Sequence, residues 1–93
     1  MKTLSKVSVR NVTSNTSGRE VPNQFIITTP EGEYFQSYET IIAFIGQGKV
    51  VLDRKSWNYS LTTGKYRNKF LGETKKETER KIASGEYKLA DLN

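Results

Sequence analysis

The side chains best suited to bind a charged ligand lie in one basic and aromatic segment, residues 49–70. Lysine and arginine can pair there with phosphate groups, while aromatic rings can stack on bases, each stack contributing about 1–3 kcal/mol. Lys65 and Lys69 are spaced i and i+4, so both would project from one side of a helix. The candidate residues for binding nucleic acid or another anion are Lys49, Arg54, Lys55, Trp57, Tyr59, Lys65, Arg67 and Lys69.

The net charge of +5 arises entirely within this segment. Residues 1–48 carry four basic and four acidic groups, and residues 70–93 carry five of each. Residues 49–69 hold six basic groups against Asp53 alone. A charge segregated in this way can steer an anionic partner, whereas a dispersed one mostly confers solubility. We therefore expect the surplus cations to form one continuous exposed face.

More ordinary roles compete for the same residues. Trp57, Tyr66 and Phe70 are favoured as core residues that hold a helix against a sheet, because large aromatic side chains dominate the interior of small domains. Tyr59 suits either role. The lysines and arginines would then be a solvated rim around that core.

Two glycine-containing motifs resemble phosphate-binding loops but lack the full spacing of such loops. GQGK at residues 46–49 lacks the continuation of a dinucleotide fingerprint, and TGKY at residues 63–66 lacks both the upstream Gly and the Ser or Thr after Lys. A hairpin turn and a helix start are the favoured interpretations. The free backbone N–H groups at that helix start, residues 60–63, could still bind a phosphate beside Lys65 and Arg67.

The residue types that most often carry catalysis are absent. The chain has no His and no Cys, which removes the commonest general base, the thiol nucleophile and nearly all zinc sites. The acidic residues fall in turns, beside basic residues or on a helix of mixed charge, where solvated carboxylates are the usual outcome. The sequence therefore predicts a protein that is not an enzyme and uses no metal or cofactor.

The composition favours a cytoplasmic location and no membrane partner. Small secreted domains usually depend on disulfides, which a chain without Cys cannot form. The first residues include a positive charge but no apolar stretch behind it, unlike a secretory signal. The longest apolar run, residues 41–45, is far too short to span a bilayer.

Strand patterns fill the first part of the chain. Residues 6–12 alternate between polar and apolar positions, while residues 23–29 and 33–38 flank a Pro-Glu-Gly turn and predict a hairpin. Residues 40–45 have helical spacing of their apolar side chains but are short and β-branched. We favour a strand there, joined to residues 50–53 by a second hairpin, over a short helix.

Helix signals follow from Ser60, which predicts an N-cap, to Gly72, which is suited to end a helix. Thr74 and Glu77 have capping-box spacing and open a second helix that Gly85 ends. The tail is expected to fold back on the core. The predicted class is α+β, with an antiparallel sheet of four to five strands built from hairpins and two C-terminal helices. Residues 1–93 would be one domain, with a frayed end at 1–5, a sheet at 6–55 and a helical part at 60–93.

A set of short segments along the chain carries a resemblance to known proteins: VPNQFII at 21–27, FQSY at 35–38, IA at 42–43, WNYS at 57–60, TT at 62–63, KY at 65–66, FLGE at 70–73 and SGEY at 84–87. On these segments, residues 11–93 resemble a group of small phage proteins of Gram-positive bacteria. The resemblance implies a phage context and brings no established activity. Many of those proteins have His where this chain has Tyr66, and this departure weakens any role for Tyr66 as a proton donor or ligand.

Three functions compete at this point. The leading one is a non-enzymatic phage protein that binds DNA or RNA through the basic and aromatic face. The alternative is an anti-defence inhibitor, for example of the anti-CRISPR type, that docks on a host protein. The third is a sponge for nucleotide signals at the helix start. Each would act in the cytoplasm of the bacterial host. A chain of this length buries a modest core, which a homodimer would enlarge.

Overall fold

The computed structural model describes residues 7–93, which form one six-stranded sheet and two helices. The strands follow the chain in the order β1 to β6, antiparallel from β1 to β5 and parallel between β5 and β6. The predicted α+β class is confirmed, with one strand more than expected. The elements are β1 Ser8–Thr13, β2 Glu20–Thr29, β3 Gly32–Ser37, β4 Thr40–Gly46, β5 Lys49–Asp53, α1 Leu61–Leu71, α2 Lys75–Ala83 and β6 Lys88–Ala90.

Both predicted hairpins are present. In the first, Ile26 faces Phe35 and Thr29 faces Gly32 across the turn. In the second, Gln47 and Gly48 both have positive φ, 54° and 74°, which is the backbone of the type I′ turn that matches the twist of two antiparallel strands. The preference for a strand over a helix at residues 40–45 is thereby confirmed. The first residue of the predicted opening strand, Lys6, and the end predicted to fray, residues 1–5, lie outside the described residues.

The sixth strand lies in the tail that follows Gly85, which was expected to fold back on the core but not to join the sheet. Leu89 pairs in parallel with Leu52, and the two helices supply the long crossover that a parallel connection requires. Side chains then fix the end of the chain. Asp53 Oδ1 accepts from the Leu92 N–H at 2.9 Å, and the Asn93 amide bonds both the N–H and the C=O of Ile41.

Both helices begin where the sequence predicts. Ser60 accepts from the N–H of Thr63 at 3.1 Å, and Gly72 ends α1 in the left-handed conformation. Thr74 and Glu77 form the reciprocal capping box of α2. Among residues 7–93, neither helix has the length and apolar character needed to cross a bilayer.

The core lies between the helices and one face of the sheet, here called the helix face. Ile26, Phe35, Ala43 and Leu52 occupy one cross-strand row of that face, and the Phe35 ring lies 5.8 Å from the Phe70 ring of α1. A bulge in β4 leaves one residue unpaired between Ile41 and Ala43 and brings it into the core as well. The helices are therefore held by large apolar side chains on one side of the sheet.

Candidate anion-binding groove

An open groove of about 470 Å³ lies at the start of α1, beside the loop that follows β5 and next to the first residue of α2. Its lining includes two lysines and no acidic residue. No group of three or more His, Cys, Asp or Glu side chains within residues 7–93 is placed to hold a metal ion. We call this feature the α1 groove; its lining residues are Asn58, Tyr59, Ser60, Leu61, Gly64, Lys65, Asn68 and Lys75.

The beginning of α1 adds positive potential to the groove. Ser60 caps the helix through the N–H of Thr63, and the first turn contains no acidic residue. The partial positive charge of a helix N-terminus is therefore not neutralised by a neighbouring carboxylate in that turn. Lys65, one turn further along, is exposed and extends the positive surface.

A buried arginine lies beneath this groove. Arg67 has no exposed surface, and a Cβ atom added to Gly64 in the groove wall would lie 3.6 Å from its Nη1 atom. The guanidinium donates to the Trp57 carbonyl at 2.7 Å, to Asn68 Oδ1 at 2.9 Å and to Asn58 Oδ1 at 3.5 Å. These partners are all neutral, so the charge of Arg67 is not cancelled by direct contact with a carboxylate among the described residues.

The position of Arg67 corrects the expectation that it contacts phosphate from the surface. Burial lowers the pKa of its guanidinium, and the more distant carboxylates of Glu79 and Glu73 oppose that effect. Its plane also lies near the Trp57 ring, with 5.1 Å from Cζ to the ring centroid. Arg67 therefore ties the loop before α1 to the helix, and it acts on the α1 groove only through its charge.

The remaining cations of the predicted face are dispersed, so the expected continuous basic surface is wrong. Lys49 lies at the opposite end of β5 from Arg54. Lys55 adjoins a depression that Asp53 and two further acidic residues line. Lys69 donates to the backbone carbonyl and the hydroxyl of Thr13, at the end of β1.

Two of the eight candidates, Tyr59 and Lys65, line the α1 groove. Tyr59 is half exposed, whereas Trp57 packs against the core as the more ordinary interpretation predicted. Lys65 and Lys69 are both exposed on α1 with the predicted i and i+4 spacing. Arg54 is exposed on the loop after β5, where its guanidinium reaches the Leu89 carbonyl at 3.4 Å.

Sequence reasoning missed Lys75, which completes the cationic lining. The charges of residues 70–93 cancel in sum, so a count over the segment gives no reason to single out one of its lysines. The capping-box spacing was the available signal, because it makes Thr74 the cap and so places Lys75 at the exposed first position of α2.

Comparison with known proteins identifies a family and no individual relative. A family model described as a family of unknown function (DUF8033) matches residues 6–86. No curated protein matches this chain, and no solved structure does.

Proposed function

The chain belongs to DUF8033, a family of unknown function, and we propose that it is a non-enzymatic protein that binds single-stranded nucleic acid in the α1 groove. The observation that carries this proposal is the placement of a half-exposed Tyr59 beside Lys65 and Lys75 with no acidic residue in the lining. The two ammonium groups would contact consecutive phosphates while a base stacks on the tyrosine ring.

A single strand suits this groove better than a duplex. Stacking on a protein side chain requires a base that is free of its neighbours, and loops and single strands offer such bases. The groove holds one exposed ring and two lysines, which correspond to a contact of a few nucleotides. The buried guanidinium of Arg67 and the start of α1 add positive charge that favours any phosphate backbone, without reading its sequence.

Fluorescence anisotropy with labelled oligonucleotides tests this proposal directly. Single-stranded DNA and RNA should bind more tightly than a duplex of equal length. With two phosphates neutralised, the logarithm of the binding constant should fall with the logarithm of salt concentration with a slope of about −1.4. Free mononucleotides serve as competitors, and preferential binding of one of them would favour a nucleotide-signal sponge. Absence of association with every oligonucleotide at low salt would overturn the proposal.

A second candidate function is docking on a host protein as an anti-defence inhibitor. Leu61 is 94% exposed on the same groove that Tyr59 lines, and tyrosine is among the residue types enriched at the energetic centres of protein interfaces. The resemblance to phage proteins favours a target in the cytoplasm of a bacterial host. Affinity capture from a host lysate, with and without nuclease, separates the two functions.

The variant Leu61→Ser provides a second way to distinguish a protein partner from a nucleic-acid ligand. If a protein partner is the ligand, this variant should lose a nuclease-resistant captured protein. If nucleic acid is the ligand, Leu61→Ser should bind oligonucleotides as the parent chain does, because a lone aliphatic side chain contributes little to phosphate contact.

A further inference from the structure

The sheet carries a continuous apolar row on the face opposite the helices, here called the open face. Val9 pairs with Ile27, Ile27 with Tyr34, Tyr34 with Phe44, and Phe44 with Val51. Successive residues of a strand point to opposite faces. Because Ile26 and Phe35 point to the helices, their neighbours in this row point away from them. Five adjacent strands therefore present one apolar side chain each along a single line.

A second, shorter row widens the apolar surface. Phe25 and Ile41 flank Gln36 on the same face. Phe25 and Gln36 lie two residues along their strands from the first row, and Ile41 lies three residues from it because of the bulge in β4. Phe25 and Ile41 are partly exposed, as are Ile27 and Tyr34, and Val9 is 60% exposed.

No helix or strand formed by residues 7–93 covers this surface. The buried core cluster contains none of the residues in the apolar row, and Tyr66, Phe70, Leu71 and Ile82 of the helices belong to that cluster or pack against it. Phe44 is 8% exposed for a local reason, since its ring lies 4.7 Å from the Tyr34 ring and close to the backbone of Gly32 and Gly46. The open face is an apolar surface that the described part of the chain leaves in contact with water.

We propose that the open face is the interface of a homodimer in which two copies of this sheet pack face to face. The molecule measures 45 × 34 × 20 Å, so its thickness corresponds to one sheet layer and one helix layer, each about 10 Å. A broad side of these dimensions is large enough for the roughly 800 Å² per partner of a standard stable interface. Sheets that pack in this way interdigitate branched and aromatic side chains, which are the types found in the row.

The charges on the open face favour a second copy over a nucleic acid or an acidic protein. Lys88 continues the row at its β6 end, and Lys49 lies two residues from Val51 on the same side of β5. By the same alternation Asp53 lies on this side at the other end of β5, where its carboxylate accepts from the N–H groups of Ser56 and Leu92. Both lysines are exposed and lie at one margin. A twofold axis along the strands places this margin of one copy over β1 of the other. The lysines then lie at opposite rims, and the centre contains only apolar and neutral side chains.

Light scattering after size exclusion, over a range of protein concentrations, tests the dimer. The parent chain should approach twice its 10.6 kDa mass at high concentration. Ile27→Lys should return the chain to the mass of one copy, because it places a charge within the apolar row of the interface. Leu61→Lys is the matched control: it changes an exposed aliphatic residue on the helix side, and its mass should equal that of the parent.

Val9→Lys is a second interface variant, needed because Ile27→Lys could lower the mass by unfolding the chain. Val9 is exposed in the single chain, so its replacement leaves the fold intact and should still raise the dimer dissociation constant by at least about tenfold. A parent chain that keeps the mass of one copy at every concentration would overturn the proposal. The proposal would also be overturned if Leu61→Lys dissociated the dimer while Val9→Lys left its dissociation constant unchanged.

Cross-linking distinguishes face-to-face packing from pairing at the free edge of β1. The chain has no cysteine, so Tyr34→Cys and Tyr59→Cys each introduce one thiol. Tyr34 lies near the middle of the six strands and close to its symmetry mate in the proposed dimer, so a short bismaleimide should join two copies at this site. Tyr59→Cys should stay single. Cross-linking of neither variant, or of Tyr59→Cys alone, rejects the face-to-face arrangement whatever the nucleic-acid titrations show.

Discussion

Arg67 Nη1 donates a 2.7 Å hydrogen bond to the backbone carbonyl of Trp57, ten residues earlier in the chain. The bond closes the loop between β5 and α1 over a guanidinium that has no exposed surface. A buried charge needs several good hydrogen bonds to offset its loss of hydration. The planar fork of arginine reaches the Trp57 carbonyl and two asparagine side chains at once, and this geometry explains why an arginine occupies the site.

Arg67→Lys should therefore destabilise the fold by about 2–3 kcal/mol, because an ammonium group cannot reproduce the fork and leaves at least one buried acceptor unpaired. Urea denaturation followed by Trp57 fluorescence measures the change. Arg54→Lys is the control, since that arginine is exposed and reaches one carbonyl at 3.4 Å. It should cost less than about 0.5 kcal/mol. Equal losses in both variants would contradict the role assigned to Arg67.

Charge reversal in the α1 groove should weaken nucleic-acid binding selectively. Lys65→Glu and Lys75→Glu should each reduce affinity about tenfold at low salt and lower the magnitude of the salt slope by about 0.7. Lys49→Glu makes the same change of charge at the far end of β5 and should leave binding nearly unchanged. A loss in Lys49→Glu equal to that in Lys65→Glu would indicate that binding depends on net charge alone.

Tyr59 should contribute through its ring. Tyr59→Ala removes the half-exposed aromatic side chain of the groove and should cost about 1–3 kcal/mol of affinity for a single strand. Tyr59→Phe retains the ring and should bind as the parent does. If Phe and Ala weaken binding equally, the hydroxyl is the active group and stacking is excluded.

The cluster around Glu73 should make the fold sensitive to acid. Burial raises the pKa of Glu73, but hydrogen bonds from Lys81, Thr78 and Tyr87 outweigh that effect, and its pKa lies below the ordinary value. A pKa that is lower in the folded chain gives stability above the unfolded-state pKa of about 4.3, and this stability is lost as the pH falls through the folded value. Stability should therefore decline below roughly pH 4.

Substitution isolates the part that Glu73 plays in that decline. Glu73→Gln should cost about 2 kcal/mol at neutral pH, because it leaves Lys81 without its carboxylate. The remaining acid dependence should be shallower than in the parent chain. Asp53 should account for part of the acid dependence that remains. Burial raises the pKa of Asp53, but hydrogen bonds from Leu92 and Ser56 outweigh burial and hold that pKa below the ordinary value. Thermal melts across the pH range measure both effects. Glu86→Gln, at an exposed position, is the control and should change neither the stability at neutral pH nor its decline in acid.

Two Gly→Ala substitutions should have opposite effects on stability. In Gly46→Ala the added Cβ atom would lie 2.6 Å from Phe44 Cζ and would also overlap the Glu31 carbonyl oxygen, so at least about 2 kcal/mol should be lost. In Gly64→Ala the nearest atom is Arg67 Nη1 at an ordinary 3.6 Å. Alanine inside a helix should then stabilise by about 0.5–1 kcal/mol. Thermal unfolding of both variants decides the matter, and a stabilised Gly46→Ala would refute the close packing described at that turn.

Local signals were sufficient to predict most of the fold. The cap at Ser60, the capping box at Thr74 and the Gln47-Gly48 turn each depend on a few adjacent residues, and each is present. The sixth strand could not be predicted in this way. It has three residues, and its pairing with β5 exists only after both helices have folded back.

The candidate site was less predictable because it depends on which side chains are buried. Thr63, Tyr66, Arg67 and Phe70 share one side of α1, and this spacing places Arg67 within an otherwise core-facing surface. A count of charges treats every arginine as exposed and cannot detect this. The same count treated Glu73 as free, although its carboxylate is bound inside the fold.

The order of strands in the sheet also constrains the route by which the chain folds. Each of the first five strands pairs with the one made just before it, so this part can assemble through short loops as the chain is synthesised. The parallel pairing of β5 with β6 closes a long connection that contains both helices, so we expect it to form last. Destabilising changes in residues 88–90 should accordingly speed unfolding much more than they slow folding, because contacts made after the rate-limiting step chiefly determine how long the native state lasts.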